Sequence, residues 1–220
     1  MGKKLIITEK PSVAQDYAKV FQVSGKHNGY IENNTYVITW CVGHLVEMVY
    51  PEEYDIRYKK WALQDLPFLP EKYKYGVIKN VKQQYDIVHA LLQREDIDTV
   101  YWAGDSGKEG QTIEENIRRF GGVREGMEEL RVWIDSQTEE EILRGIREAK
   151  DLAEYDNLGA AAYLRAKEDY LMGINFSRVL TLKYGNSVKS YLKADRAVIS
   201  VGRVMTCVLG MVVNREREIR

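Results

Sequence analysis

The sequence predicts an α/β fold, in which a mostly parallel β-sheet flanked by helices is followed by a mainly α-helical module. Three observations support this prediction. Short apolar runs alternate with segments of helical periodicity through the first 150 residues, which is typical of parallel strands joined by crossover helices. Residues 157–184 form an almost continuously helical pattern, and a second helical pattern follows at 204–219. The 220 residues are 45% hydrophobic and 30% charged, as expected of an ordinary globular chain.

Four apolar runs rich in Val, Ile, Tyr and Trp are predicted as strands, at 4–8, 36–42, 99–103 and 130–134. Helices are predicted between or after them, at 12–21, 77–94, 109–120 and 138–149. The last of these begins with a capping box, in which Thr138 precedes Glu141 by three residues.

The remaining segments are less regular. Residues 28–36 resemble a hairpin that turns at Asn33 and Asn34. Residues 50–75, which hold three of the four prolines, are predicted as a long irregular loop. Two further helices are expected at 157–184 and 204–219, with a polar, basic and irregular segment at 185–200 between them. The pattern therefore predicts two domains, 1–150 and 151–220.

Charge is distributed unevenly between these parts, although the net charge is only −1. Residues 158–220 hold eleven Lys and Arg against five Asp and Glu, so the rest of the chain is acidic. A metal-binding acidic module joined to a phosphate-binding basic module would have this distribution. Helix surfaces rich in Lys and Arg would also produce it, and both interpretations remain open.

Several classes of protein are disfavoured by the sequence. No apolar run approaches the roughly 20 residues of a membrane span, and no secretory signal precedes the first strand, so we expect a cytoplasmic protein without membrane contact. Cys41 and Cys207 lack metal-ligand spacing and suggest reduced thiols. The glycine-containing loop at 104–110 matches neither phosphate-binding glycine pattern, which argues against a nucleotide cofactor.

Two acidic residues follow predicted strands, and this is the strongest chemical signal in the chain. Glu9 and Asp105 would lie close together if their strands were parallel neighbours about 4.8 Å apart, and Mg²⁺ needs only one or two such carboxylates beside phosphate oxygens. They could instead cap the helices that follow. Lys10 precedes Pro11, and it is interpreted either as a contact for a phosphate or as an ordinary surface lysine.

Five motifs occur in a fixed order, at 9–14, 42–47, 105–111, 173–181 and 200–206. Together they resemble the N-terminal part of the bacterial DNA topoisomerases III, members of the type IA topoisomerase family, and the resemblance spans the whole chain. It implies a Rossmann-like TOPRIM domain at 1–150. It also implies that 151–220 is the N-terminal part of a helical domain that binds single-stranded DNA.

The resemblance also implies residue roles. Glu9, Asp105 and Glu109 match Mg²⁺ ligands, while Glu9 and Lys10 match catalytic positions. The positions that match DNA contacts are Trp61, Arg165, Asp169, Tyr170, Arg178, Ser200, Val201, Gly202, Arg203, Val204 and Met205. Trp61 and Tyr170 could equally be core aromatics, and Arg165 with Asp169 a structural ion pair. His44 is interpreted as a packed, hydrogen-bonded residue.

This chain departs from the family pattern at three positions. Gly107 stands where many members have a second Asp, which weakens the expected metal affinity. Met205 and Cys207 stand where Gln and Pro are usual, which leaves the detailed DNA contacts of that segment open.

The family's nucleophilic tyrosine, which forms a 5′-phosphotyrosine link, matches none of the fifteen tyrosines here. The resemblance thus implies an ATP-independent enzyme that cuts, passes and reseals single DNA strands and whose partners are single-stranded DNA and the remainder of the topoisomerase chain. The present chain is expected to be inactive alone. The alternatives are a free-standing TOPRIM metal-dependent nuclease and a non-catalytic single-strand-binding protein.

Overall fold

The structure is a computed structural model that describes residues 2–220, and nine strands and six α-helices lie in that range. The strands are β1 (Lys3–Thr8), β2 (Gly25–His27), β3 (Tyr30–Glu32), β4 (Tyr36–Trp40), β5 (Val46–Met48), β6 (Tyr75–Val77), β7 (Ile97–Ala103), β8 (Glu128–Arg131) and β9 (Lys150–Asp151). The helices are α1 (Pro11–Val20), α2 (Lys82–Leu92), α3 (Lys108–Gly121), α4 (Glu139–Arg147), α5 (Asp156–Leu192) and α6 (Arg203–Ile219).

Seven strands form the main sheet in the order β2-β3-β4-β1-β7-β8-β9. The four central strands, β4, β1, β7 and β8, are all parallel, while β2, β3 and β9 extend the sheet with antiparallel pairs. The predicted α/β class with a mostly parallel sheet is therefore confirmed. In the register, Thr8 at the end of β1 lies opposite Ala103 at the end of β7.

Helices pack on both faces of this sheet. In β1, Leu5 and Ile7 face one apolar cluster, which includes residues of α2 and α3, whereas Ile6 faces a second cluster that includes residues of α1 and α4. Because side chains alternate along a strand, a central strand covered on both faces must be apolar at successive positions. This explains why the short apolar runs predicted the strands well.

Local predictions are confirmed at the hairpin turn and, for one of the two capping-box hydrogen bonds, at the start of α4. The hairpin between β3 and β4 turns at Asn33, whose Oδ1 accepts hydrogen bonds from the backbone N–H groups of Thr35 and Tyr36 at 2.8 and 2.7 Å. At the start of α4, Thr138 Oγ1 accepts a hydrogen bond from the N–H of Glu141 at 3.4 Å. The side chain of Glu141 pairs with Arg144 instead of returning to Thr138.

Other boundaries were wrong. The helix predicted from residue 77 begins only at Lys82, because Tyr75–Val77 forms a strand. The segment 185–200 was expected to be irregular, yet α5 continues to Leu192. No proline interrupts that helix, and the last of its three glycines, Gly185, costs only about 1 kcal/mol relative to alanine. The loop expected at 50–75 contains three single 3₁₀ turns.

The described chain divides into two compact units that are not continuous in sequence. The first unit contains the residues up to Glu47 and Tyr75–Tyr163, and it includes the main sheet. The second contains Met48–Lys74 and Leu164–Arg220. The domain division at residue 150 stays a prediction. Within residues 2–220, no helix combines the length and the apolar character that crossing a membrane requires.

Candidate functional site

Glu9 and Asp105 lie together at the carboxyl edge of the sheet. Each follows a strand by one or two residues, and β1 and β7 are paired parallel neighbours. The backbone N–H of Asp105 donates a hydrogen bond to Glu9 Oε2 at 3.3 Å. The convergence of the two acidic strand ends, expected from the sequence, is therefore present. Parallel β-strands place their ends at one edge, where ligands of open α/β sheets commonly bind.

Lys10 contacts both carboxylates. Its Nζ donates a hydrogen bond to Asp105 Oδ2 at 2.9 Å and lies 3.6 Å from Glu9 Oε1. The hydrogen bond to Asp105, with the negative charges of Asp105 and Glu9, raises the pKa of the Lys10 ammonium. The side chains of Lys10 and Asp105 are about half exposed, at 52% and 49%. A charged lysine thus stands at the solvent side of the acidic pair, where an incoming phosphate would meet it.

Glu109 has a different partner. It lies in the first turn of α3, and its Oε1 is 2.7 Å from Nε2 of His44. His44 is hydrogen-bonded, as interpreted from the sequence, but its pairing with Glu109 was not anticipated. In the part of the chain that the structure describes, no group of three or more His, Cys, Asp or Glu side chains is arranged to hold a metal ion. The three predicted ligands therefore do not form a preassembled set.

The donors present are nevertheless compatible with Mg²⁺. This ion retains several waters and is usually held by one or two protein carboxylates with substrate phosphate oxygens. Glu9 and Asp105 supply two carboxylates at one point of the sheet edge. The residues fit a hydrated Mg²⁺ that also contacts a phosphate, and they do not fit a closed cage of protein ligands.

Glycine shapes the backbone beside Asp105. A Cβ on Gly110, in the first turn of α3, would lie 2.2 Å from the carbonyl oxygen of Asp105. A Cβ on Gly104 would lie 2.7 Å from Glu114 Oε1. Both distances are shorter than real contacts allow, so these glycines let the helix and the strand end approach closely. Gly107, in contrast, has open space around its Cβ position.

A buried ion pair lies behind this loop. Arg131 is fully buried and Glu114 is 3% exposed. Glu114 Oε2 lies 3.2 Å from Arg131 Nε without hydrogen-bond geometry, so charge attraction joins them. Burial raises the pKa of Glu114 to about 7, although Arg131 and the N–H of Gly104 oppose the shift. Sequence reasoning missed both residues, because each stands within a helix or strand pattern without a motif of its own.

In the second unit, Arg178 is buried against Trp61. Its guanidinium carbon lies 5.2 Å from the centre of the Trp61 ring, and its Nη2 lies 3.9 Å from Glu52 Oε2. Only 5% of Arg178 is exposed. Burial lowers the pKa of Arg178, while Glu52 acts in the opposite direction. The guanidinium expected to contact a phosphate is therefore covered in this conformation, and its role in DNA binding stays a prediction.

Tyr170 is held by its hydroxyl and by neighbouring rings. The hydroxyl donates a hydrogen bond to the carbonyl oxygen of Val49 at 2.7 Å. The rings of Phe68 and Tyr73 approach it edge to face at 6.2 and 6.1 Å between centres. Burial raises the pKa of the Tyr170 phenol. This packing agrees with the structural interpretation of Tyr170, and a stacking role stays a prediction.

Most of the other predicted DNA contacts surround one cavity of about 540 Å³ in the second unit. Arg203 Nη2 donates a hydrogen bond to Asp169 Oδ2 at 3.0 Å, and Arg165 Nε lies 3.9 Å from the same oxygen. The predicted residues that line the cavity are Arg165, Asp169, Val201, Gly202, Arg203, Val204 and Met205. The structure thus brings the helix α5 positions together with the start of α6.

Two known protein families match most of the chain. A model of the Toprim domain matches residues 4–136, and a model of DNA topoisomerase matches residues 153–220. Proteins named DNA topoisomerase 3 from Bacillus anthracis and from Shouchella clausii are each 40% identical to the whole chain, and the one from Bacillus subtilis strain 168 is 37% identical. The chain spans 28% of the length of these relatives.

Proposed function

This chain belongs to the Toprim family and is similar over its whole length to proteins named DNA topoisomerase 3, and we propose that it supplies the Mg²⁺ site and a single-stranded-DNA site of a type IA DNA topoisomerase. The observation that supports the proposal most directly is the convergence of Glu9 and Asp105. Their carboxylates stand at the sheet edge beside a lysine, which suits recognition of a nucleic-acid phosphate.

Glu9 and Asp105 would hold the metal, with Glu109 as a third acid nearby in sequence. When bound there, Mg²⁺ would orient phosphate oxygens and offset their negative charge. Lys10 already lies beside both carboxylates, so its ammonium can contact the same phosphate. Because Gly107 replaces a second Asp, the metal is expected to bind weakly without DNA.

The cavity at the start of α6 is proposed to bind the DNA strand. Arg165 and Arg203 present guanidinium groups there, and such groups bind phosphates through paired hydrogen bonds. Val204 and Met205 add apolar surface that can contact sugars or bases. Trp61, Tyr170, Arg178 and Ser200 are proposed to take part in the same binding, Arg178 and Tyr170 only after local rearrangement.

The complete enzyme is proposed to cut, pass and reseal single strands in the cytoplasm without ATP. Its tyrosine nucleophile would be supplied by a part of the protein outside these 220 residues, so this chain alone is expected to be inactive. That remaining part and single-stranded DNA are the proposed partners.

Metal binding tests the first part of the proposal. Mn²⁺, a paramagnetic substitute for Mg²⁺, is titrated into the chain and into the double variant Glu9→Gln/Asp105→Asn. We expect the variant to bind at least about tenfold more weakly, because it loses both anionic ligands. Asp86→Asn is a matched control, since Asp86 is also a half-exposed carboxylate paired with a lysine, Lys82 at 2.6 Å. An equal loss in the control, or none in the double variant, would contradict the proposal.

Incubation with DNA tests the second part. We expect binding of a labelled single strand that weakens with salt, without relaxation of supercoiled plasmid and without a covalent adduct. Mg²⁺-dependent nicking that Glu9→Gln abolishes would instead favour a free-standing nuclease. Binding that does not change with metal would favour a non-catalytic single-strand-binding protein.

A further inference from the structure

Arg131 and Glu114 form a buried bracket beneath the loop that presents Asp105. Arg131 ends β8, and it lies opposite Trp102 of β7 in the parallel register. Glu114 lies in the second turn of α3. Both side chains point into the protein behind the sheet edge, where neither is accessible to solvent. Charged side chains are costly to bury unless hydrogen bonds and counter-charges compensate them, so the partners of Arg131 and Glu114 indicate what the pair holds in place.

The guanidinium of Arg131 contacts three backbone carbonyl oxygens at and just after the end of β7. Its Nη1 lies within hydrogen-bond distance of the carbonyl oxygens of Trp102 and Gly104, at 3.0 and 2.9 Å. Its Nη2 donates to the carbonyl oxygen of Asp105 at 3.0 Å. The planar fork of arginine, with donors on two separate terminal nitrogens, therefore binds three points of one segment.

Glu114 and Gln111 provide further hydrogen bonds from α3. Glu114 Oε1 accepts a hydrogen bond from the N–H of Gly104 at 2.5 Å, so both polar groups of the Gly104 backbone are bound. Gln111 Oε1 accepts from Arg131 Nε at 3.1 Å. Gln111 is itself fully buried. The side chains of Arg131, Glu114 and Gln111 thus link β8 and α3 to the backbone at the end of β7.

We propose that Arg131 and Glu114 are positioning residues, which fix the backbone at Gly104 and Asp105 so that the Asp105 carboxylate faces Glu9. Neither residue reaches the candidate metal or phosphate. They act through the peptide units that set the direction of the Asp105 side chain and of its N–H, which donates to Glu9. This inference rests on the proposed metal site for its consequence, but the positioning itself does not need a metal.

Replacing both charges together provides the test. Removing one partner would leave the other charge buried and unpaired, whereas similar-sized apolar side chains can replace a buried pair with little loss of stability. The variant Arg131→Met/Glu114→Leu should therefore fold, yet it offers no hydrogen bonds to the loop. Arg94→Met/Glu32→Leu is the matched control, because it removes another Arg–Glu pair near the opposite end of β1.

Two measurements are made on each variant. Amide hydrogen exchange of peptides covering 103–107 should accelerate about tenfold or more in the bracket variant and stay unchanged in the control, because exchange reports local opening. Mn²⁺ binding should weaken about tenfold or more, as is common when residues behind metal ligands are changed. Unchanged exchange in the bracket variant overturns the inference.

Failure of the proposed metal site would give a different pair of results from failure of the positioning role. If the unaltered chain binds no Mn²⁺ while the exchange result holds, the positioning role stands and the metal site does not. Should Arg131→Met/Glu114→Leu fail to fold, Arg131→Lys replaces it, since it retains the positive charge opposite Glu114 but not the fork. Faster exchange at 103–107 in that variant supports the inference, and exchange like that of the unaltered chain overturns it.

Discussion

The backbone N–H of Asp105 donates a hydrogen bond to the carboxylate of Glu9, although 96 residues separate the two in sequence. The contact joins the ends of two parallel strands, β1 and β7. It also orients Glu9, since Glu9 Oε2 accepts the hydrogen bond from Asp105 and Glu9 Oε1 lies 3.6 Å from Lys10 Nζ. The acidic pair is therefore organised by the protein before any ion or phosphate is present.

Replacing Lys10 with methionine should strengthen metal binding in the absence of DNA. The ammonium competes for the same oxygens, and a half-exposed pair of this kind contributes up to about 1 kcal/mol. We expect Mn²⁺ affinity to rise about two- to fivefold, as measured by titration with free Mn²⁺ detected by electron paramagnetic resonance. Lys82→Met is the control, because Lys82 pairs with Asp86 on α2. A fall in affinity for Lys10→Met would contradict the competition.

Gly110→Ala should destabilise the protein, contrary to the usual effect of this substitution within a helix. The added Cβ would lie 2.2 Å from the Asp105 carbonyl oxygen, which is backbone and cannot move away freely. Overpacking of this kind costs about 1–3 kcal/mol. Gly210→Ala in α6 is the control, because nothing lies within 4 Å of its Cβ position and alanine there should stabilise by about 0.4–1 kcal/mol. Thermal unfolding should show a lower melting temperature for Gly110→Ala and a higher one for Gly210→Ala.

Glu32→Gln should lower the free energy of unfolding at neutral pH and make that free energy less sensitive to acidic pH. The guanidinium of Arg94 binds both Glu32 oxygens, at 2.7 and 3.1 Å, and with Lys3 it lowers the pKa of Glu32 from 4.5 to about 2. Since the folded-state pKa is the lower one, this stabilisation is complete above about pH 5 and is lost as the pH falls toward 2.

A charged hydrogen bond of this kind contributes about 1.5–3 kcal/mol. Urea unfolding at pH 7 and at pH 3 should therefore show a smaller difference for Glu32→Gln than for the unaltered chain. The exposed Glu71→Gln serves as the control. Equal pH dependence in Glu32→Gln and in the unaltered chain would show that the ion pair adds no stability.

Arg203→Ala should weaken binding of a short single strand and reduce its dependence on salt. Each phosphate contact with single-stranded DNA contributes about 0.7 to the slope of log affinity against log salt. Fluorescence anisotropy over a series of salt concentrations measures that slope. Arg215→Ala is the matched control, because Arg215 lies in the same helix and also pairs with a carboxylate, Glu218 at 3.1 Å. If the slope of log affinity against log salt falls equally in both variants, Arg203 in the cavity contributes no more to DNA binding than Arg215 elsewhere on α6.

The four central strands and the acidic residues that follow two of them could be predicted because they depend on local patterns. Apolar runs such as those around Ile6 and Trp102 identify buried parallel strands, and Glu9 and Asp105 follow those strands directly. The ends of helices were less predictable. The polar and basic composition of residues 185–200 predicts an irregular segment, but α5 continues to Leu192.

Short contiguous patterns were enough to predict the α/β class, the two acidic strand ends and the family. The folded arrangement was needed to show that Lys10 lies between the carboxylates, that His44 pairs with Glu109, that Arg178 is buried against Trp61, and that Arg131 donates to the Asp105 carbonyl oxygen. A charged side chain is placed by partners that are far away in sequence. Its surroundings decide whether it meets solvent, a counter-charge or a backbone carbonyl, and no local pattern specifies them.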